Sequence, residues 1–219
     1  MQIFPAILTD SVASVQEQLD LAAESEDTKT VQIDIIDGQF VDNITVAPLD
    51  ITTLNFHHLT CDLHLLVDEP MDYVFEAEAV KTYLPIRAVI AQIEHMSYQT
   101  SFLEEVKKQN WQAGLALDIF TPLDEVEEAC WRQLDIIQLM GNEAGFQGED
   151  LHPHLIPKIK ELTQLLSEKG LKPEIYIDVG VKRDNIESLQ KAGATGFAVG
   201  SGIWQAPQPV QMLNELLAL

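Results

Sequence analysis

The 219-residue sequence is poor in basic residues, in cysteine and in long apolar runs. Thirteen lysines and arginines face 35 aspartates and glutamates, a formal net charge of -22. Nucleic acid and anionic membrane both need a positive face on their partner, so neither is expected to bind. The only cysteines, Cys61 and Cys130, lie far apart with no Cys-x-x-Cys spacing, which excludes a zinc knuckle and a redox pair. Two thiols fit a reducing cytoplasm, and the opening MQIFPAIL carries no basic flank or long apolar run of the kind a targeting segment needs. No stretch approaches the ~18 apolar residues of a membrane-spanning helix. Missing too are a G-x-G-x-x-G turn after a strand, a Gly-x-Ser-x-Gly elbow and a Ser/His/Asp set, which argues against dinucleotide binding and against serine-nucleophile hydrolysis.

Short apolar runs alternate with amphipathic segments from end to end. The runs predict strands over 2–8, 30–35, 60–67, 88–93, 113–118, 135–140, 174–178 and 196–199. Apolar residues recurring at three- and four-residue spacing predict helices over 11–23, 70–79, 98–109, 123–130, 155–169, 183–192 and 207–217. Asp184 and Pro207 suit helix starts; Gly170 and Gly193 suit helix ends. Alternating βα units demand a parallel sheet with right-handed crossovers. Eight of them in a chain of this length, with no linker to divide it, predict a single (β/α)8 TIM barrel over 1–219. An open doubly wound sheet is the alternative.

Three strands end in polar groups. The segment VQIDIIDGQFVDNITVAP brings Asp34 and Asp37 to a turn at Gly38, CDLHLLV carries His64, and EIYIDVG carries Asp178. A buried carboxylate or imidazole destabilises a fold unless it is paired, so three such strands predict one shared polar site. In a (β/α)8 barrel that site lies at the C-terminal strand ends. Alternation puts Gln32 and Asp34 on one face of their strand, Asp62 and His64 on one face of theirs, and Glu174, Tyr176 and Asp178 on one face of a third. If these faces point inward, the groups converge on the barrel mouth. Asp37 is expected to fix the turn at Gly38 rather than to do chemistry. His57, His58, His152 and His154 read as loop residues, with His95 a weaker candidate ligand.

These motifs, in this order, resemble the ribulose-phosphate 3-epimerase family over nearly the whole chain. Pro5-Ala6-Ile7-Leu8-Thr9 answers the family's Pro-Ser-Ile-Leu-Ser, and Gln32 to Asn43 answers its His-Val-Asp-Val-Met-Asp-Gly-His-Phe-Val-Pro-Asn. Asp62-Leu63-His64-Leu65-Leu66, Gly145-Phe146-Gln147-Gly148-Glu149, Ile177-Asp178-Val179-Gly180-Val181 and Gly200-Ser201-Gly202-Ile203-Trp204 answer four further motifs. The resemblance implies a metal-dependent ketose-phosphate 3-epimerase, an isomerase of the pentose phosphate reactions that passes through an enediolate. It assigns the proton transfers to Asp34 and Asp178, and one divalent cation (zinc, iron, manganese or magnesium) to Asp34, His64, Asp178 and Gln32. Gln32 stands where the family has its first histidine ligand, and is either a weak neutral ligand or core filler. Met140, Gly145, Gly148, Gly180, Gly200 and Ser201 are implied to contact a sugar phosphate. Ala6 replaces a serine, Ile36 and Leu66 replace two methionines, and Val179 and Glu149 stand in the phosphate cradle. Lys182 and Arg183 are the only basic residues in the last three βα loops. A homo-oligomer is implied by the same analogy. The alternative is a non-catalytic or altered-substrate barrel that binds a sugar phosphate or a protein partner, or an epimerase for an unphosphorylated or acidic sugar.

Overall fold

The computed structural model describes residues 1–143, 148 and 150–219. Eight strands, β1 (Gln2–Ile7), β2 (Thr30–Ile36), β3 (Thr60–Leu66), β4 (Ile86–Gln92), β5 (Gln112–Leu117), β6 (Ile136–Met140), β7 (Glu174–Asp178) and β8 (Gly196–Val199), pair in sequence order, all parallel. β8 returns to β1, so the sheet closes into a barrel. The helices are α1 (Val12–Ala23), α2 (Met71–Val80), α3 (Gln99–Lys108), α4 (Leu155–Lys169), α5 (Ile186–Ala192), α6 (Ser201–Trp204) and α7 (Pro209–Leu217). No helix among the described residues is long and apolar enough to cross a membrane.

Outward strand residues such as Ile33, Leu63, Val89, Leu115, Ile137 and Phe197 lie in the large apolar cluster that also takes in the helices' inner faces. Both faces of each strand are covered, which is why the strands read as near-continuous apolar runs. Inside the barrel a smaller cluster of Phe4, Ala88, Ile90, Ala116, Ile136 and Tyr176 fills the lower layers. Room for the Tyr176 ring comes from Gly196, where a Cβ would lie 2.5 Å from the ring. Above them Ile36, Leu66 and Met140 form an apolar cap, with Leu8, Phe40, Val41 and Val179 against it.

The inward parity of the polar residues holds, but they divide between two levels. Asp62 and Tyr176 face inward at the barrel floor rather than at the mouth. There Arg87 pairs with Asp62 through Nη2 and donates from Nε to Asp62 Oδ1 at 2.8 Å. It also lies over the Phe4 ring, 5.1 Å from its centroid. The β3–β4 register slips between Cys61 and Asp62, and this bulge turns Arg87 into the barrel although its position in the strand would point it out.

Several expected elements differ. The helix expected over 123–130 is a single 3₁₀ turn, Leu123–Glu125. Leu123, Val126 and Cys130 are buried as their spacing predicts. The backbone between them is claimed by Gln99 of α3, whose side chain donates to Glu125 O and accepts from Glu127 N at 2.8 and 2.9 Å. α5 starts after Asn185, not at Asp184, because the Asn185 side chain ties down the preceding loop through Gly180 O and Lys182 N. α7 likewise starts later, with Gln208 as cap and Pro209 as its first residue. Gly170 and Gly193 do end α4 and α5, both at positive φ.

Candidate active site

Asp34 is two residues from the end of β2, and Thr45 holds that end in place. Its hydroxyl donates to Asp34 O at 2.6 Å and accepts from Ile36 N at 2.8 Å. Asp37, just beyond, is occupied with backbone. Its carboxylate accepts from Gln39 N, Phe40 N and Asp68 N, and so stitches the loop after β2 to the loop after β3. Burial alone would raise its pKa, but these N–H donors hold it below the usual carboxylate range.

Parallel pairing sets Asp34 of β2 beside His64 of β3 and Met140 of β6 beside Asp178 of β7. The barrel's curvature then brings Asp34, His64 and Asp178 together in the interior. His64 Nδ1 lies 3.0 Å from Asp34 Oδ1 and 3.3 Å from Asp178 Oδ2. The three groups each offer a ligand atom, and these atoms all lie within 4.8 Å of one another. Gln32 sits at their centre: its Nε2 donates to Asp34 Oδ1 at 2.8 Å and to Asp178 Oδ2 at 2.7 Å. All four side chains are buried.

Charge is therefore concentrated where water is scarce. Burial raises the Asp34 pKa, against hydrogen bonding from His64, and the neighbouring Asp178 charge raises it further. Burial would lower the His64 pKa, but the hydrogen bonds and charges of Asp178 and Asp34 outweigh it and push it up to about 9.

Two glutamines that sequence reasoning missed complete the group. Gln92 Nε2 is 3.2 Å from His64 Nε2, and Gln138 Nε2 donates to Asp178 Oδ2 at 3.2 Å. Both are fully buried. A signal for them is present in the sequence, since Gln92 ends its strand and Gln138 interrupts Ile136–Met140 with the parity of Met140, but an uncharged amide in an apolar run carries no charge to mark it.

A cavity opens above the group. Asp34, His64 and Asp178 form its base, and Gly148, Gly180, Gly200 and Ser201 line its rim. Ala6, Leu8, Leu66, Met140 and Val179 make the apolar wall. Gly145, Gln147 and Glu149 lie outside the described residues. Gly200 caps α6, a single helical turn, while Gly180 is separated from α5 by a loop and does not precede a helix directly. Val179 has a φ of 66, a left-handed conformation in which a β-branched side chain is strained. Lys182 and Arg183 are engaged elsewhere, with Asp150 and Glu215. His95 pairs with Asp68 and rests on Phe40, and His152 and His154 pack with Phe120. None of these histidines joins the Asp34–His64–Asp178 group.

The donor set suits a divalent cation: two carboxylates and an imidazole nitrogen converge from separate strands, buried and close enough to share one ion. Gln32 turns its NH2 inward, and an amide turned about its long axis would offer a neutral oxygen at the same place.

Comparisons with known proteins agree with one another. Solved structures of the same fold include a 3-hexulose-6-phosphate synthase from Salmonella typhimurium (TM-score 0.69, 14% identity, 100% of this chain and 97% of that one). They also include a tryptophan synthase alpha-subunit from Pyrococcus furiosus (TM-score 0.69, 16% identity, 100% and 98% covered). At such identity they speak for the barrel alone. In sequence the chain is 31% identical over 206 residues to a ribulose-phosphate 3-epimerase of Synechocystis sp., covering 94% of this chain and 88% of the relative. It is 29% identical to the ribulose-phosphate 3-epimerases of Bacillus subtilis (99% and 98% covered) and Escherichia coli (98% and 93% covered). The sequence profile of the ribulose-phosphate 3 epimerase family matches residues 2–204. Carrying that match over nearly its whole length, on a closed (β/α)8 barrel, the chain belongs to the ribulose-phosphate 3 epimerase family.

Proposed function

We propose that the protein is a cation-dependent ketose-phosphate 3-epimerase, with ribulose 5-phosphate and its C3 epimer as the substrate pair that family membership favours. The observation that carries the proposal is the pairing of Asp34 and Asp178, from β2 and β7, around one buried histidine at the base of an apolar-capped cavity. Inverting a carbon next to a carbonyl needs a base on one face and an acid on the other. One carboxylate must therefore be charged while the other holds a proton.

In this reading one aspartate takes the C3 proton and the other delivers a proton to the opposite face, the pair exchanging roles for the reverse reaction. Asp34, His64 and Asp178 would hold the cation, with Gln32 as a neutral fourth partner. When bound, the cation supplies Lewis-acid stabilisation of the oxygen on which negative charge develops. Ile36, Leu66 and Met140 exclude water above the carboxylates, and the rim around Gly148, Gly180, Gly200 and Ser201 would seat the phosphate through backbone N–H groups. Residence in the cytoplasm fits two cysteines that are both unpaired; a homo-oligomer is proposed on family membership alone.

Asp34→Asn and Asp178→Asn are each expected to lower epimerisation by ~10²–10⁴-fold, and to stop exchange of the substrate's C3 proton with solvent deuterium while the circular dichroism spectrum stays unchanged. Activity near that of the unaltered protein in either variant would sink the two-carboxylate mechanism. A non-catalytic barrel would show no exchange even before substitution. Val179 favours a second reading, an epimerase for a sugar without phosphate, because its side chain adds bulk to the cavity wall. Comparing kcat/KM for ketoses with and without the phosphate separates the two.

A further inference from the structure

Gln92 makes a contact that is incomplete as it stands. Its Nε2 lies 3.2 Å from His64 Nε2, while its carbonyl Oε1 is buried with no hydrogen-bond partner. Both residues are fully buried, so water does not complete the pairing from bulk. The two ends of a primary amide have nearly the same shape. Turned about its axis, Gln92 would bring Oε1 onto His64 Nε2, where it can accept a ring N–H, and its NH2 would take the place now held by the unpartnered carbonyl. The other ring nitrogen, Nδ1, is the one that faces Asp34 and Asp178.

We infer that Gln92 is a positioning residue for His64: its carbonyl accepts the Nε2 proton, locks the ring, and thereby keeps Nδ1 aimed at the two carboxylates with a lone pair free for a cation. Imidazoles that ligate metal ordinarily donate their second N–H to such an acceptor, and losing that acceptor costs ~10–100-fold in affinity or activity. Here the acceptor is a neutral amide from the end of β4, so it adds no further charge to a site that already holds two carboxylates. Gln138 acts differently, since its Nε2 donates to Asp178 Oδ2 and a turned amide would set oxygen against oxygen. The inference rests on the proposal that Asp34, His64 and Asp178 hold a divalent cation.

The test uses the full-length protein with Zn²⁺ as the probe and no substrate. Long-range ¹H–¹⁵N spectra of the zinc-loaded protein should find the His64 proton on Nε2. Gln92→Met, similar in size but without a strong acceptor, should weaken zinc binding by about 10–100-fold. Gln92→Glu, which restores an acceptor at the same reach, should not. Gln138→Glu adds a like charge without touching His64, so equal tightening by Gln92→Glu and Gln138→Glu would mean charge alone is at work. The inference is overturned by a proton on Nδ1 in the zinc-loaded protein, by no measurable zinc affinity, or by Gln92→Met binding zinc within about twofold of the unaltered protein. Should Gln92→Met fail to fold, the unaltered protein's spectrum and the two glutamate variants decide. Solvent exchange at the substrate's C3, measured on the same samples, separates this inference from the epimerase reading. Exchange without a Gln92 effect sinks only the inference, and a Gln92 effect without exchange sinks only the epimerase.

Discussion

At the scale of single residues the site is a problem in burying charge. Asp34 and Asp178 are close enough to repel, and three features offset that repulsion: the His64 ring between them, the Gln32 NH2 bonded to both, and the amide of Gln138 on Asp178. This predicts a pH dependence with a definite sign. His64 titrates at about 9 in the folded chain, against 6.5 for an ordinary histidine. A raised folded pKa means that the proton stabilises the fold; the contribution is complete below about 6.5 and fades as pH climbs through about 9. In chelator-treated protein, urea unfolding should therefore show stability falling between about pH 7 and pH 9, and His64→Gln should flatten that fall. An equal slope in the variant would show that other groups cause it.

At the scale of elements two βα units depart from strand–helix alternation: the second runs from β2 to β3 without a helix, and the fifth is irregular too. The fifth has a 3₁₀ turn in place of a helix, and the carbonyls just beyond β5 take a donor from the following unit. Lys158 of α4 reaches across instead, and its ammonium donates to Asp118 O and to Ile119 O. Burial lowers the Lys158 pKa to about 8, so the lysine is retained there at a desolvation cost. Lys158→Met keeps the apolar stem but takes the ammonium from Ile119 O and leaves Asp118 O with Thr121 N alone, and should destabilise by ~1–3 kcal/mol. Denaturant titration at pH 7 measures it, and no loss would mean that water already serves those carbonyls.

At the scale of the whole molecule, the barrel is polar at both ends of its interior, and the two ends do different things. The floor is a structural ion pair: Asp62 and Arg87 together, with Tyr176 Oη 3.4 Å from the guanidinium. Burial pushes the Asp62 pKa up to about 6 even against the Arg87 charge, so the carboxylate still ionises at neutral pH. Removing one partner strands the other charge. Arg87→Met should cost ~3–5 kcal/mol, whereas joining it to Asp62→Leu should recover most of the loss, because an apolar pair of similar volume is often as stable as a buried ion pair. A double-mutant cycle by thermal or urea unfolding tests this, and a double variant as unstable as Arg87→Met would contradict it. Neither change should move zinc affinity, since the floor lies below the cavity.

The sequence by itself determined the eight strands, the order of the elements and the inward parity of the polar strand residues. Those depend on local period and on chain connectivity, and both are written along the chain. It also marked Asp34, His64 and Asp178, since a charged or imidazole side chain ending an apolar run stands out. Only the tertiary structure decided which inward polar groups share a level, because strand register and barrel curvature set height and neither is local. That is why Asp62 and Tyr176 went to the floor with Arg87, an arginine turned inward by a bulge that no periodicity reports. The same holds for Gln92 and Gln138, neutral amides whose importance comes from what β3 and β7 place beside them. It holds again for residues 123–130, where the apolar spacing was right but Gln99 from another helix took the backbone hydrogen bonds that a helix would have used.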